Sequence, residues 1–184
     1  MKHILLLVAL ILAQSAFAQR EGALTAYLSV DQPSTIGVSV EFPENGKLRR
    51  LPFIKEECAR SYLFNLGLGF MGYDNVPVDE VGKGVVIEAG IRQYFTGETQ
   101  GLYVSNYLSF ANIEFENDED EWLGKYTYFS FFSPETGYKI SFDGICVEPF
   151  AGVMWRLESP AGIIDNHRID EWAPRFGLRI GITF

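Results

Sequence analysis

The sequence predicts an all-β chain, an eight-stranded antiparallel up-and-down transmembrane β-barrel, and three observations carry that expectation. After residue 18 no helical period of useful length occurs, and what repeats is two-residue alternation broken by turn residues. Aromatic residues make up 15% of the chain and glycines number 18, without a Pro-rich or low-complexity stretch, which is the composition of tightly packed β-structure. The alternating segments are roughly ten residues long and even in number, the arithmetic of a small membrane barrel.

Residues 1–18 come first. Lys2 and His3 precede an apolar run over 4–13 and the small-x-small pattern Ala16-Phe17-Ala18, so a secretory signal peptide cleaved after Ala18 is expected. The run is too short for a spanning helix, which needs about 20 apolar residues. No cysteine directly follows it, which disfavours a lipid anchor there. Residues 19–184 then form one outer-membrane barrel domain, and with no other long apolar segment any insertion must use strands.

The strands are expected over 22–30, 35–42, 62–73, 83–95, 101–114, 126–142, 145–158 and 174–184. In the first three, Leu24, Ala26, Leu28, Ile36, Val38, Val40, Phe42, Phe64, Leu66, Leu68 and Phe70 share one face. The fourth sets Val85, Ile87, Ala89, Ile91 and Phe95 against Val86, Glu88, Gly90, Arg92 and Tyr94. The seventh sets Ile145, Val147, Pro149, Ala151, Val153, Trp155 and Leu157 against Cys146, Glu148, Phe150, Gly152, Met154 and Arg156. The last alternates through Phe176, Leu178, Ile180, Ile182 and Phe184.

Asp143-Gly144 is a two-residue hairpin signal between the sixth and seventh strands, and 96–100 joins the fourth and fifth. Longer polar links follow the third, fifth and seventh strands, giving short turns on one side and long loops on the other. The link 43–61 breaks this rule by being long on the short-turn side; its residues 54–60 could form a helical turn.

Alternation alone also fits a soluble barrel with the faces reversed. Composition decides for the membrane. The polar face is mostly Gly, Ser, Thr and Tyr with sparse charges of both signs, which suits a narrow lumen better than a solvated surface. The apolar face is too bulky to fill the interior of eight strands. Phe42, Tyr73, Phe95, Trp122, Phe142 and Trp155, near strand ends, read as interfacial girdles.

The lumen charges expected are Glu41, Glu88, Arg92, Glu135, Lys139, Glu148, Arg156, Arg175 and Arg179. Such a lumen holds side chains and little free water, so each charge needs an opposite partner, and Arg175 and Arg179 require acids such as Glu88, Glu135 or Glu148. A paired structural plug is expected over a proton or ion path.

The chain carries 24 acidic against 15 basic residues, so no nucleic-acid partner is expected. His167 is the only histidine after the signal; with Ser159 in the same link it lacks a recognisable nucleophile motif, and it reads as an ordinary loop residue. The acid run 116–121 lacks the ligand spacing and internal glycine of a calcium loop and reads as a solvated tip. No catalytic, cofactor-binding or metal-ligating residue is assigned. Cys58 and Cys146 are both expected at the short-turn end, where pairing and separate thiols are both open.

The chain resembles the small eight-stranded outer-membrane β-barrel proteins of Gram-negative bacteria, OmpA/OmpX-like in architecture. The resemblance rests on Pro134-Glu135-Thr136-Gly137-Tyr138-Lys139, the Asp143-Gly144 turn, Val147-Glu148-Pro149-Phe150-Ala151-Gly152 and the last strand. It implies insertion by the barrel-assembly machinery, with Phe176, Leu178, Ile180, Ile182 and Phe184 as the assembly signal, and it implies no activity. The expected protein is a monomer in the cell outer membrane, contacting outer-membrane lipid and lipopolysaccharide, with a structural or surface-interaction role. Two alternatives are a membrane-embedded, deacylase-like lipid-modifying enzyme and a soluble lipocalin-like ligand carrier.

Overall fold

A computed structural model of the chain describes residues 22–44, 49–50, 57–72, 81–116, 122–159 and 171–184. These residues form strands and their connections: β1 (Ala23–Val30), β2 (Ser34–Pro43), β3 (Arg49–Arg50), β4 (Glu57–Cys58), β5 (Arg60–Gly72), β6 (Val81–Tyr94), β7 (Gly101–Glu116), β8 (Trp122–Phe132), β9 (Pro134–Phe142), β10 (Ile145–Glu158) and β11 (Trp172–Thr183).

All pairings are antiparallel, and they run in a ring. β1 pairs with β2, then β5, β6 and β7 follow in order; β7 pairs with both β8 and β9, these pair with β10, β10 pairs with β11, and β11 returns to β1. Because β8 and β9 are two halves of one strand, interrupted at Ser133, the ring has eight positions around it. Closure removes the exposed sheet edge that an open sheet of these strands would carry. Gly22 and Phe184 extend it by one exchange, Gly22 N donating to Phe184 O at 2.7 Å and Phe184 N to Gly22 O at 3.0 Å.

The alternation resolves as the side-chain period requires. Along β1 inward Ala23, Thr25, Tyr27 and Ser29 are buried while Leu24, Ala26, Leu28 and Val30 are exposed. The same phase puts Ile36, Val38, Phe42, Phe64, Leu66, Leu68, Phe70, Val85, Ile87, Ile91, Phe142, Val153, Phe176, Leu178, Ile180 and Ile182 on the outside. Asp143 and Gly144 both take positive φ, 50° and 79°, the geometry that a two-residue hairpin with the twist of its strands demands.

The ends of the barrel differ. One, the turn end, carries the Asp143-Gly144 hairpin and the 95–100 turn. The other, the link end, carries Asp31 to Pro33 and the strand termini at Gly72, Val81, Glu116, Trp122, Glu158 and Trp172. At the link end Met71, Val86, Ala111, Ile113, Phe115, Tyr126, Tyr128, Met154 and Ala173 form an apolar cluster inside the barrel. At the turn end Ala59, Tyr94 and Tyr103 pack together.

Two sequence expectations need correction. A single strand over 126–142 would point Phe129 and Phe131 inward together with Glu135. Instead the break at Ser133 adds a residue and shifts the phase, so that Phe131 and Phe132 both face outward while Tyr128, Ser130, Ser133 and Glu135 are buried. The described part of the 54–60 segment is extended, not helical: β4 pairs with β3 in the register Arg49↔Cys58 and Arg50↔Glu57. Ala59 then bridges to the barrel wall, its N–H donating to Thr96 O and its carbonyl accepting from Tyr94 N and Gln93 Nε2. The long link therefore brings Cys58 and Ala59, both fully buried, against the turn end.

Candidate functional site

The inward face holds the chain's concentration of chemistry. All nine charges expected there are buried, none more than 2% exposed. They come from five strands, two each from β6, β9, β10 and β11 and one from β2, at several heights, and so are stacked in tiers.

Nearest the turn end lies a four-membered group. Arg92 Nη1 donates to Glu148 Oε2 at 2.9 Å and to Glu41 Oε2 at 3.3 Å, while Lys139 Nζ donates to Glu41 Oε2 at 2.8 Å. Lys139 Nζ also stands 3.8 Å from Glu148 Oε1, so two cations and two carboxylates alternate around the group. Tyr94 Oη completes it, donating to Glu41 Oε1 at 2.7 Å.

In the middle tier Arg179 holds Glu135 with both terminal nitrogens, each at 2.9 Å, the planar fork that guanidinium and carboxylate geometry favours. Tyr103 and Tyr107 hydroxyls accept from the same guanidinium at 3.3 and 3.2 Å. Aromatic faces close the remaining sides. The Arg179 carbon lies 4.1 Å from the Phe150 ring centre and the Arg92 carbon 3.8 Å from that of Tyr103.

In the third tier Arg175 pairs with Glu88 at 2.9 Å and with Asp31 at 3.2 Å, and donates to Ser133 Oγ at 2.7 Å. Asn65 and Ser109 donate to Glu88 at 2.9 and 2.7 Å. Arg156 stands apart toward the link end, where Nη1 donates to the Gln32 carbonyl and the guanidinium faces Tyr128.

Asp31 is the charged member that sequence parity does not reveal. It belongs to the turn after β1 rather than to a strand, yet its side chain is only 4% exposed. Burial pushes its carboxyl up to about 6, against the pull of Arg175 and with a further push from Glu88. With Asp31 included, the buried acids and bases among the described residues are equal in number: Asp31, Glu41, Glu88, Glu135 and Glu148 against Arg92, Lys139, Arg156, Arg175 and Arg179. Mutual neutralisation is what a low-dielectric interior demands of charges that are kept ionised.

The tyrosines were also missing from the expected site, although their inward parity was there to read. The glycines explain how such rings fit. Tyr107 lies opposite Gly90, Tyr103 opposite Gly137, Tyr27 opposite Gly37 and Phe150 opposite Gly177. A Cβ on Gly90 would meet Tyr107 Cδ1 at 2.5 Å, so the ring lies over space that only a glycine leaves.

Of the other sequence candidates, His167 and residues 117–121 lie outside the described residues, as do Tyr73 and the side chains of Glu116 and Trp122. Ser159 is half-exposed, and its N–H donates to Thr127 O at 2.9 Å. Cys58 and Cys146 are both buried and are not joined as a disulfide. Among the described residues no group of three His, Cys, Asp or Glu side chains is placed to hold a metal ion. Compared with known proteins, the chain matches no family model, no curated protein and no solved structure.

Proposed function

We propose that the protein is an integral outer-membrane β-barrel with a structural or surface-interaction role, exported by its first 18 residues and lacking an open pore. The observation that carries this reading is the inversion of the usual soluble arrangement. Leu, Ile, Val and Phe cover the outside of the ring, while ionised groups fill its inside. In water that outer surface would be a continuous apolar patch far beyond what soluble monomers expose. In a bilayer it is the surface that hydrocarbon requires, and the closed hydrogen-bond ring leaves the backbone satisfied.

Two further observations support the absence of a pore. Eight of the nine expected interior charges pair with one another, and an apolar cluster fills the inside of the barrel at the link end while Ala59, Tyr94 and Tyr103 pack together at the turn end. A soluble lipophile carrier needs an apolar interior, and this interior is charged. The outward row Phe176, Leu178, Ile180 and Ile182 is the stretch of β11 that an assembly machinery would read.

Expression of the full chain in a Gram-negative host tests the reading. The protein should sediment with outer membranes, resist carbonate extraction, require detergent for release, and migrate differently in gels when unheated. Recovery as a soluble protein without detergent would overturn it.

A further inference from the structure

Two inward residues at the start of strands on the turn end are buried where an open mouth would wet them. Ala23 begins the inward row of β1 and Cys146 that of β10; they are 1% and 0% exposed, while Asp143 and Gly144 of the adjoining hairpin are exposed. The segment that returns from the long link is buried at the same end. Cys58 and Ala59 are fully buried, and Ala59 packs against Tyr94 and Tyr103. β3 and β4 make a separate two-stranded sheet outside the ring, and Ala59 joins them to its wall. Its N–H donates to Thr96 O at 2.7 Å, and its carbonyl accepts from Tyr94 N at 2.9 Å and from Gln93 Nε2 at 2.7 Å. Gln93 breaks the alternation of β6: parity turns it outward, yet it is buried. Its amide is engaged at both ends, since Oε1 also accepts from Arg60 Nε at 3.4 Å.

We infer that Cys58 and Ala59 form a latch, clasped by Gln93, that shuts the turn-end mouth of the lumen, and that its release admits water to Cys146 and to the group of Arg92, Glu41, Lys139 and Glu148. The inference concerns the inside of the ring and holds whatever covers the outside. A continued strand would spread its ladder bonds along its length. Here the bonds to the wall converge on one peptide unit and one side chain, so the segment can open locally while the ring stays closed. The group behind it tolerates both states. Buried, its two cations and two carboxylates neutralise one another; wetted, they regain hydration.

The test uses the full chain folded in a neutral detergent and treated with iodoacetamide, with alkylation of Cys58 and Cys146 followed separately by peptide mass spectrometry. In the wild type both thiols should react slowly, and both should react fast after unfolding in urea. Gln93→Ala should speed both together by about tenfold, the equivalent of one hydrogen bond lost. Ala59→Pro, which removes the N–H given to Thr96, should speed both further. The heat-dependent gel shift reports that each variant keeps its ring. Asn106→Leu, which loosens the ladder at the Ser133 break instead, should speed neither. A wild type whose Cys146 reacts as fast folded as unfolded would overturn the latch. So would a Gln93→Ala chain with unchanged Cys146, a rise at Cys58 alone, or an equal rise in Asn106→Leu. None of these outcomes bears on the membrane reading, which the need for detergent tests by itself.

Discussion

Arg179 and Glu135 show how little freedom an interior residue of this barrel has. Both are buried, they share two hydrogen bonds, and tyrosine hydroxyls and the Phe150 ring occupy the space around them. Removing one partner strands the other charge, so Arg179→Met should destabilise the fold by about 3–5 kcal/mol. Replacing both, as in R179M/E135M, should recover most of that loss, read as the urea midpoint of tryptophan fluorescence in detergent micelles. Gly90 makes a steric counterpart. Gly90→Ala should cost about 1–3 kcal/mol by forcing Tyr107 aside, and much less in a Tyr107→Ser background, where the ring is gone. Asp31 gives a pH signature. Its carboxyl is raised in the folded chain, so its favourable contribution is full below the unfolded value near 3.9 and is lost as pH rises through about 6. The wild-type midpoint should therefore fall over that range relative to Asp31→Asn, and parallel pH profiles would show that Asp31 is not the group responsible.

At the scale of the element, the break between β8 and β9 is the most informative feature. It falls in the middle of the outward belt, where, under the proposed membrane reading, a gap in the ladder would expose backbone polar groups to hydrocarbon. Asn106 covers it: Oδ1 accepts from Ser133 N at 3.0 Å and Nδ2 donates to Phe131 O at 3.3 Å. Nearby, Thr136 Oγ1 donates to Tyr103 O at 3.0 Å. Asn106→Leu makes the belt more apolar, and burial alone would predict stabilisation in detergent. Loss of two backbone partners in a medium without water should outweigh it, destabilising by about 1–3 kcal/mol. A gain in the urea midpoint would refute that role for Asn106.

The same break marks where reading the sequence stopped working. Strands with clean alternation, such as β6 and β10, were legible with their inward charges, because a period of two assigns a face without any tertiary knowledge. The Ser133 break was not, since one inserted residue leaves no compositional mark when phenylalanines lie on both sides of it. Asp31 was hidden for a related reason: parity has no meaning in a turn, and only the ring's closure brings Asp31 beside Arg175. The ring-over-glycine contacts needed the register of neighbouring strands, which alternation does not supply.

For the molecule as a whole, the proposed membrane placement reduces to one claim: the Leu-, Ile-, Val- and Phe-covered face of the ring contacts lipid, and the charged face does not. Belt, paired interior and closed ladder are each tolerable only with the others present. Open the ring and a hydrogen-bonding edge meets hydrocarbon; reverse the phase and ten charges meet it instead. The most direct measurement is site-directed spin labelling of the chain reconstituted in phospholipid bilayers, with Cys58 and Cys146 first replaced by serine. Single cysteines at successive positions of β5, 64 to 70, would report accessibility to oxygen, which partitions into lipid, and to a water-soluble nickel chelate. Labels at Phe64, Leu66, Leu68 and Phe70 should show high oxygen and low nickel accessibility, and labels at Asn65, Gly67 and Gly69 low accessibility to oxygen, giving a period of two. The opposite phase, or equal access of the nickel chelate to the even-numbered positions, would contradict the account.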